Sequence, residues 1–221
     1  MIRVVGIGAG GHAKVVIDIL QLVGRHEIVG LVEADKKLWK NEILGIEVLG
    51  GDELLADLYA SGLRHAFIGV GSVGDFRVRK RLYESTVDRG FEVISAIHPA
   101  SVVARESSVG PGATIMARAV INPGVRMGCN VIVNTGAIVE HECVIGNDVH
   151  IAPGAVLSGN VTVEDGAHIG AGAAIRQGLV IGAGALVAMG AVVVENVPPR
   201  STVAGVPAEA MRSKVAKHDK Y

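Results

Sequence analysis

Of eight histidines in the chain, His141 has a carboxylate neighbour that makes proton chemistry possible. Glu142 follows it directly, and a carboxylate beside an imidazole fixes the ring tautomer and stabilises the protonated ring. Unperturbed imidazole titrates at about 6.5, so such a pair can take up a proton at neutral pH. The same two residues also suit a solvated corner, and the pair alone does not decide between these readings. His150 and His168 lie 18 residues apart, and Asn134 either binds a polar ligand group or stacks in a ladder of corner asparagines.

A second constellation is rich in glycine. Gly6-Ile7-Gly8-Ala9-Gly10-Gly11 satisfies G-x-G-x-x-G. Between a strand and a helix, such a loop offers backbone N–H groups to a phosphate and lets it approach closely. Glu33 and Asp35 stand about 20 residues on, where an acid meets a ribose or a base. Gly71 and Ser72 are expected on the same edge, after a third strand. A dinucleotide enzyme would need a second mononucleotide half, which 96 residues do not supply, so one nucleotide fits better than two.

These residues need elements to position them, and the chain has two grammars. Up to residue 96, residues 4–8, 28–32 and 66–70 read as buried strands, and 12–23, 52–60 and 75–89 as helices. Alternating strands and helices predict an α/β domain with a parallel sheet, half of a Rossmann unit. From Ile97 every sixth residue through Val193 is aliphatic or Met. From Ala113 to Val197, the residue four places after each is Ala, Val, Cys or Leu. Helices need spacings of three and four, so the period of six predicts stacked coils, both series pointing inward. Seventeen hexads, three to a triangular coil, make about five to six coils. The expected division is 1–96 and 97–221.

Composition removes several functions. Lys+Arg 21 against Asp+Glu 22 gives net charge -1, which leaves no broad basic face for nucleic acid. No apolar run approaches the roughly 18 to 20 residues of a membrane span. The start MIRVVGIGAGGH lacks an apolar segment ending at a small-residue cleavage site, so a cytoplasmic protein is expected. Cys129 and Cys143 form neither a disulfide framework nor a zinc site and are expected to be small buried residues; no metal is expected. Lys is absent from 97 to 199, so the flat faces are suited to association.

The unit Ile145-Gly146-Asn147-Asp148-Val149-His150, repeated as Ile169-Gly170-Ala171-Gly172-Ala173-Ala174 and Ile181-Gly182-Ala183-Gly184-Ala185-Leu186, resembles the hexapeptide-repeat acyltransferases. The resemblance implies a left-handed parallel β-helix, a homotrimer and an acyl-coenzyme A or acyl-carrier donor. The tail Val203-Ala204-Gly205-Val206-Pro207-Ala208 is similar to the segment closing such helices. Gly8-Ala9-Gly10-Gly11-His12-Ala13-Lys14-Val15, with Asn134 through Cys143, is similar to bacterial sugar N- and O-acetyltransferases that join a nucleotide-sugar-binding α/β domain to the β-helix. Within that group the match points to GDP-perosamine N-acetyltransferases of surface-polysaccharide biosynthesis, such as that of lipopolysaccharide O-antigen.

The resemblance assigns roles. His141 is the base for an amine attacking acetyl-CoA, and Glu142 its partner. Gly8, Gly10, Gly11 and His12 cradle the sugar-nucleotide phosphates, Glu33 or Asp35 meets the base or ribose, Gly71 and Ser72 share that edge, and Asn134 meets the sugar amine. A carboxylate suits the N1 and N2 donors of guanine, although uridine-binding members often carry two consecutive acids where this chain has Glu33-Ala34-Asp35. His150 is placed near the thioester. Gly159, Ala171, Ala173, Gly190, Gly205, Val206, Pro207 and Ala208 match acetyl-CoA-binding positions, and Arg200, Arg212, Lys214 and Lys217 form a basic tail that meets the donor phosphates or is simply solvated. Three alternatives stay open: sugar O-acetylation as in sialic acid O-acetyltransferases, a nucleotide-sensing structural solenoid, and an NAD-linked oxidoreductase.

Overall fold

The structure, a computed structural model, describes residues 1–211. Its first part is an α/β unit: β1 (Ile2–Ile7), α1 (Gly11–Val23), β2 (His26–Val32), β3 (Glu42–Ile43), β4 (Ile46–Gly50), α2 (Leu54–Ala60), β5 (His65–Ile68), α3 (Arg77–Asp88) and β6 (Glu92–Val93). The sheet order is β3-β4-β2-β1-β5-β6, parallel throughout except for the β3–β4 pair. The chain moves outward from β1 on one side through β2 and on the other through β5. That reversal opens a crevice at the carboxyl ends of β1 and β5. Helix α1 packs on the sheet through Ala13, Val16, Ile17 and Leu20, the one-face spacing of an amphipathic helix, and stops at Gly24 in the left-handed region.

From Ala96–Ile97 to Val192–Val193 the chain is a left-handed β-helix of two-residue strands in three parallel sheets, and Thr202–Ala204 with an antiparallel Glu209–Ala210 closes one of them. Up to Val192–Val193 the strands pair at a spacing of 18 residues, as Ile115 with Val133 and Val133 with Ile151. Both inward series meet in one core, from Ile115 and Ala119 to Val193 and Val197. The first coil is the exception, Ile97 being 37% exposed and Val103 and Val109 only partly buried, because their strands end their sheets and no coil lies beneath them. Every sixth residue from Gly112 to Gly190 turns a corner with positive φ. Nine of these are glycine, and Arg118, Asn130, Glu142, Asp148 and Asn160 carry side chains through the same conformation.

No helix among the described residues is long and apolar enough to cross a membrane. Cys143 is buried as expected, whereas Cys129 is only half-buried because it sits at a corner.

Candidate functional site at the domain junction

The carboxyl edge of the α/β sheet faces the solenoid sheet that contains Ile132–Val133 and His150–Ile151, and between them lies an open pocket of about 510 Å³. Gly11, His12, Val15, Gly71, Ser72 and Val73 line it from one side, and Met116, Asn134, Thr135 and His150 from the other. Sequence reasoning therefore located six of the lining residues, on segments up to about 140 residues apart.

Within the glycine loop the roles divide. A Cβ on Gly6 would stand 2.3 Å from Phe67 Cζ, and one on Gly8, where φ is 99°, 2.5 Å from Val70 Cγ2. These two glycines permit close packing. Gly10 and Gly11 have open space instead, and they begin α1, whose first N–H groups have no helical partners. Glu33 shapes the loop rather than standing free: Oε2 accepts the Ala9 N–H at 2.7 Å and Oε1 that of Asp35 at 3.1 Å. Asp35 in turn accepts the Lys37 N–H, capping a short turn.

Two buried histidines fix the pocket's polarity. His150 Nδ1 donates to the Ser72 carbonyl, leaving Nε2 to accept from Asn134 Nδ2 at 3.2 Å. Asn134 Oδ1 accepts the Thr135 N–H, so its orientation is set. His12 Nε2 faces Arg79 Nη1 at 3.2 Å. Burial, Arg79 and His150 push the His12 imidazole down to about 3. Burial does the same to His150, to about 4, with His168 and Arg79 adding to it against the Ser72 carbonyl. Both rings are neutral at pH 7. His168 packs edge-on against His150, centroids 4.7 Å apart, as the 18-residue spacing requires. His150 thus belongs to this pocket and bridges to the α/β domain.

His141 and Glu142 lie elsewhere, on an exposed corner. His141 Nδ1 is 3.4 Å from Glu142 Oε2, and the imidazole rests over Gly159 of the next coil. Glu142 holds φ at 60°, a region that costs a non-glycine residue about 1 to 2 kcal/mol. The opposite corner column is built by Gly154 N–H to Thr135 O, Gly172 N–H to Pro153 O and Gly190 N–H to Ala171 O. It runs from the pocket toward Gly205, Val206, Pro207 and Ala208, where the Ala208 N–H and the Gly205 carbonyl both engage Val192. Between the two corners lies one flat face that shows Val102, Val120, Ile138, Val156, Ala174 and Val192.

Ala173 does not fit the acetyl-CoA assignment. Its side chain is fully buried in the coil, its N–H donates to Gly170 O and its carbonyl accepts from Val156. Arg212, Lys214 and Lys217 lie outside the described residues. Sequence reasoning missed Met116, Thr135 and above all Arg79, which sits in the charged run Arg77-Val78-Arg79-Lys80-Arg81 yet is 1% exposed. A second cavity, about 400 Å³ at the ends of β2 and β4, is lined by Ala34, Lys36, Trp39, Gly51, Asp52 and Glu53.

Residues 3–86 match the PglD N-terminal domain, and residues 124–159 the bacterial transferase hexapeptide (six repeats). No curated protein matches the chain. Among solved structures, the H141N mutant of perosamine N-acetyltransferase from Caulobacter crescentus, in complex with CoA and GDP-perosamine, superposes with TM-score 0.89 at 37% identity, over 96% of this chain and 97% of that one. The acetyltransferase domain of PglB from Neisseria gonorrhoeae FA1090, in complex with acetyl coenzyme A, gives 0.86 at 35% identity, over 95% and 99%. WeeI from Acinetobacter baumannii AYE gives 0.83 at 29%, over 95% and 100%.

Proposed function

The chain belongs to the hexapeptide-repeat sugar acetyltransferases that carry a PglD-type N-terminal domain, and from that premise we propose that it moves acetyl from acetyl-CoA to the 4-amino group of a nucleotide-linked dideoxysugar, GDP-perosamine or a close relative. The observation that carries this reading is the pocket where the open glycines of α1 meet Asn134 and His150 of the solenoid. A helix N-terminus attracts a diphosphate, and a neutral polar wall a few ångströms on suits an amino sugar.

Residues 1–96 hold the nucleotide sugar and residues 97–221 present the donor. The cavity beside Trp39, Asp52 and Glu53 takes the base, since its two carboxylates match the donor edge of guanine better than Glu33, which is already engaged. Acetyl-CoA lies along the column through Ala171 and Gly190 to Gly205–Ala208. The amine lone pair attacks the thioester carbonyl, a backbone N–H holds the oxyanion, and collapse breaks the C–S bond. His141 takes the proton that the amine sheds and returns it to the departing thiolate, so no charge is left over.

Within one chain, the pocket and the donor column lie on one edge of the flat aliphatic face and His141 on the other. A homotrimer packed through that face brings the His141 of one copy to the pocket of its neighbour. Work on surface polysaccharide fits this chemistry, and the cytoplasm is where acetyl-CoA is met.

An acceptor screen tests the reading. GDP- and UDP-linked 4-amino sugars, and their 4-hydroxy counterparts, are supplied with acetyl-CoA while free thiol is followed. Turnover confined to the amino sugars is expected. Turnover of hydroxyl acceptors alone would make the chain an O-acetyltransferase, and none with any acceptor would leave the solenoid a scaffold.

A further inference from the structure

Arg79 projects from α3 into the junction between the two domains, and its guanidinium has almost no contact with water. Nη1 donates to the carbonyls of Val70 at 2.7 Å and Ile68 at 3.2 Å, at the end of β5. Nη2 donates to Gly112 O at 3.2 Å, and Nε to Asn130 O at 3.4 Å, both on solenoid corners. A single planar cation thus ties the crevice edge of the sheet to two coils. The remaining neighbour of Nη1 is His12 Nε2, with Thr114 Oγ1 at 3.4 Å from the same nitrogen.

A guanidinium donates hydrogen bonds and accepts none. Nη1 has two hydrogens for three acceptors, so the Ile68 carbonyl and His12 Nε2, both at 3.2 Å, share one, and the facing imidazole nitrogen presents its lone pair, which puts the His12 proton on Nδ1. That atom has no hydrogen-bond partner among the described residues, and it lies at the Gly71 wall of the pocket, 4.0 Å from where a Cβ on residue 71 would stand.

We propose that Arg79 is a positioning residue, which locks His12 as its Nδ1–H tautomer and so aims one fixed, uncharged N–H donor into the pocket at an acceptor oxygen of the ligand. The assignment of that ligand as a nucleotide sugar rests on the function proposed above, whereas the tautomer does not. A fixed donor loses less freedom on binding than a rotating one and cannot present a lone pair to the phosphate or hydroxyl oxygen it meets. Gly71 brings no side chain over that N–H.

The test has two parts on the full chain. Nitrogen-15 correlation spectra of the free protein should show His12 protonated on Nδ1 and a through-hydrogen-bond N–N coupling to Arg79. An Nε2–H ring, or absence of that coupling, overturns the proposal whether or not the chain turns over any sugar. In the second part, His12→Asn keeps an amide donor at the Nδ1 position and His12→Gln does not. The Kd for GDP-linked amino sugar is expected to rise about tenfold in His12→Gln and to stay within about threefold in His12→Asn. Equal losses in the two would remove the donor role. The same comparison with GDP alone separates a phosphate from a sugar oxygen: loss for both ligands places the contact on the phosphate, loss only for the sugar nucleotide on the sugar. Failure of wild type to bind any nucleotide sugar would sink the functional reading and leave the tautomer result standing.

Discussion

The imidazole of His141 rests on Gly159 so closely that a Cβ there would stand 2.5 Å from Cε1 and 2.6 Å from Nε2. The bare backbone at residue 159 is therefore the floor on which the ring sits. Gly159→Ala should push the ring away while leaving the core of the coil intact. We expect kcat to fall at least about tenfold with a Tm change of a few degrees, read by steady-state kinetics and thermal melting. Wild-type turnover in that variant would show that the ring's seat is immaterial.

Glu142 offers a separation of stability from activity. At φ 60° it occupies a corner where nine of the equivalent positions are glycine. Glu142→Gly should relieve backbone strain and raise stability by up to about 1 kcal/mol in denaturant unfolding. The same change removes the carboxylate beside His141, so kcat should drop. A variant both less stable and fully active would show that Glu142 is there only to turn the corner.

The flat face between the two corners predicts sharing of the site between copies. His141→Ala chains keep the pocket, and Asn134→Ala chains keep His141; each alone should be nearly inactive. Co-refolded in equal amounts, they should regain about a quarter of the wild-type rate, since random mixing pairs one good pocket with one good His141 that often. No recovery would put both halves of the site on one chain. Val156→Glu, on the aliphatic face, should lower the mass seen by sedimentation.

Acid should loosen the domain junction. His12 and His150 titrate at about 3 and 4 in the folded chain and at about 6.5 unfolded, so the unfolded chain binds more protons between those values. Stability is then at full strength above about pH 6.5 and declines as pH falls toward 3 to 4. Arg79 and His168 add to the penalty for charging these rings. Each ring contributes a loss on the order of 2 kcal/mol between pH 7 and 5. Denaturant midpoints across that range check it, and His150→Gln should flatten the slope.

Much of the fold can be read in the sequence because hexads constrain a residue through its immediate neighbours. Ile115 and Ala119 are inward by their spacing alone, and the structure buries both completely. Ala173 shows the limit of matching by motif: the same spacing that marks it as inward rules out the corner role that the family pattern gave it. The pocket was legible in its glycines and histidines, each of which has a local signature. Arg79 was not. Its run of basic residues reads as a solvated helix face, and its burial is decided by carbonyls at Ile68, Gly112 and Asn130, up to 51 residues away. Nothing within one turn of α3 encodes those acceptors.

The proposed acetyl transfer turns most directly on His141. Single-turnover acetyl transfer by His141→Asn, with the Kd for acetyl-CoA and for the nucleotide sugar measured on the same preparation, separates chemistry from binding. The proposed role predicts a rate about a hundredfold or more below wild type with both Kd values within about threefold. A rate equal to wild type, or a loss fully explained by weaker binding, would contradict it.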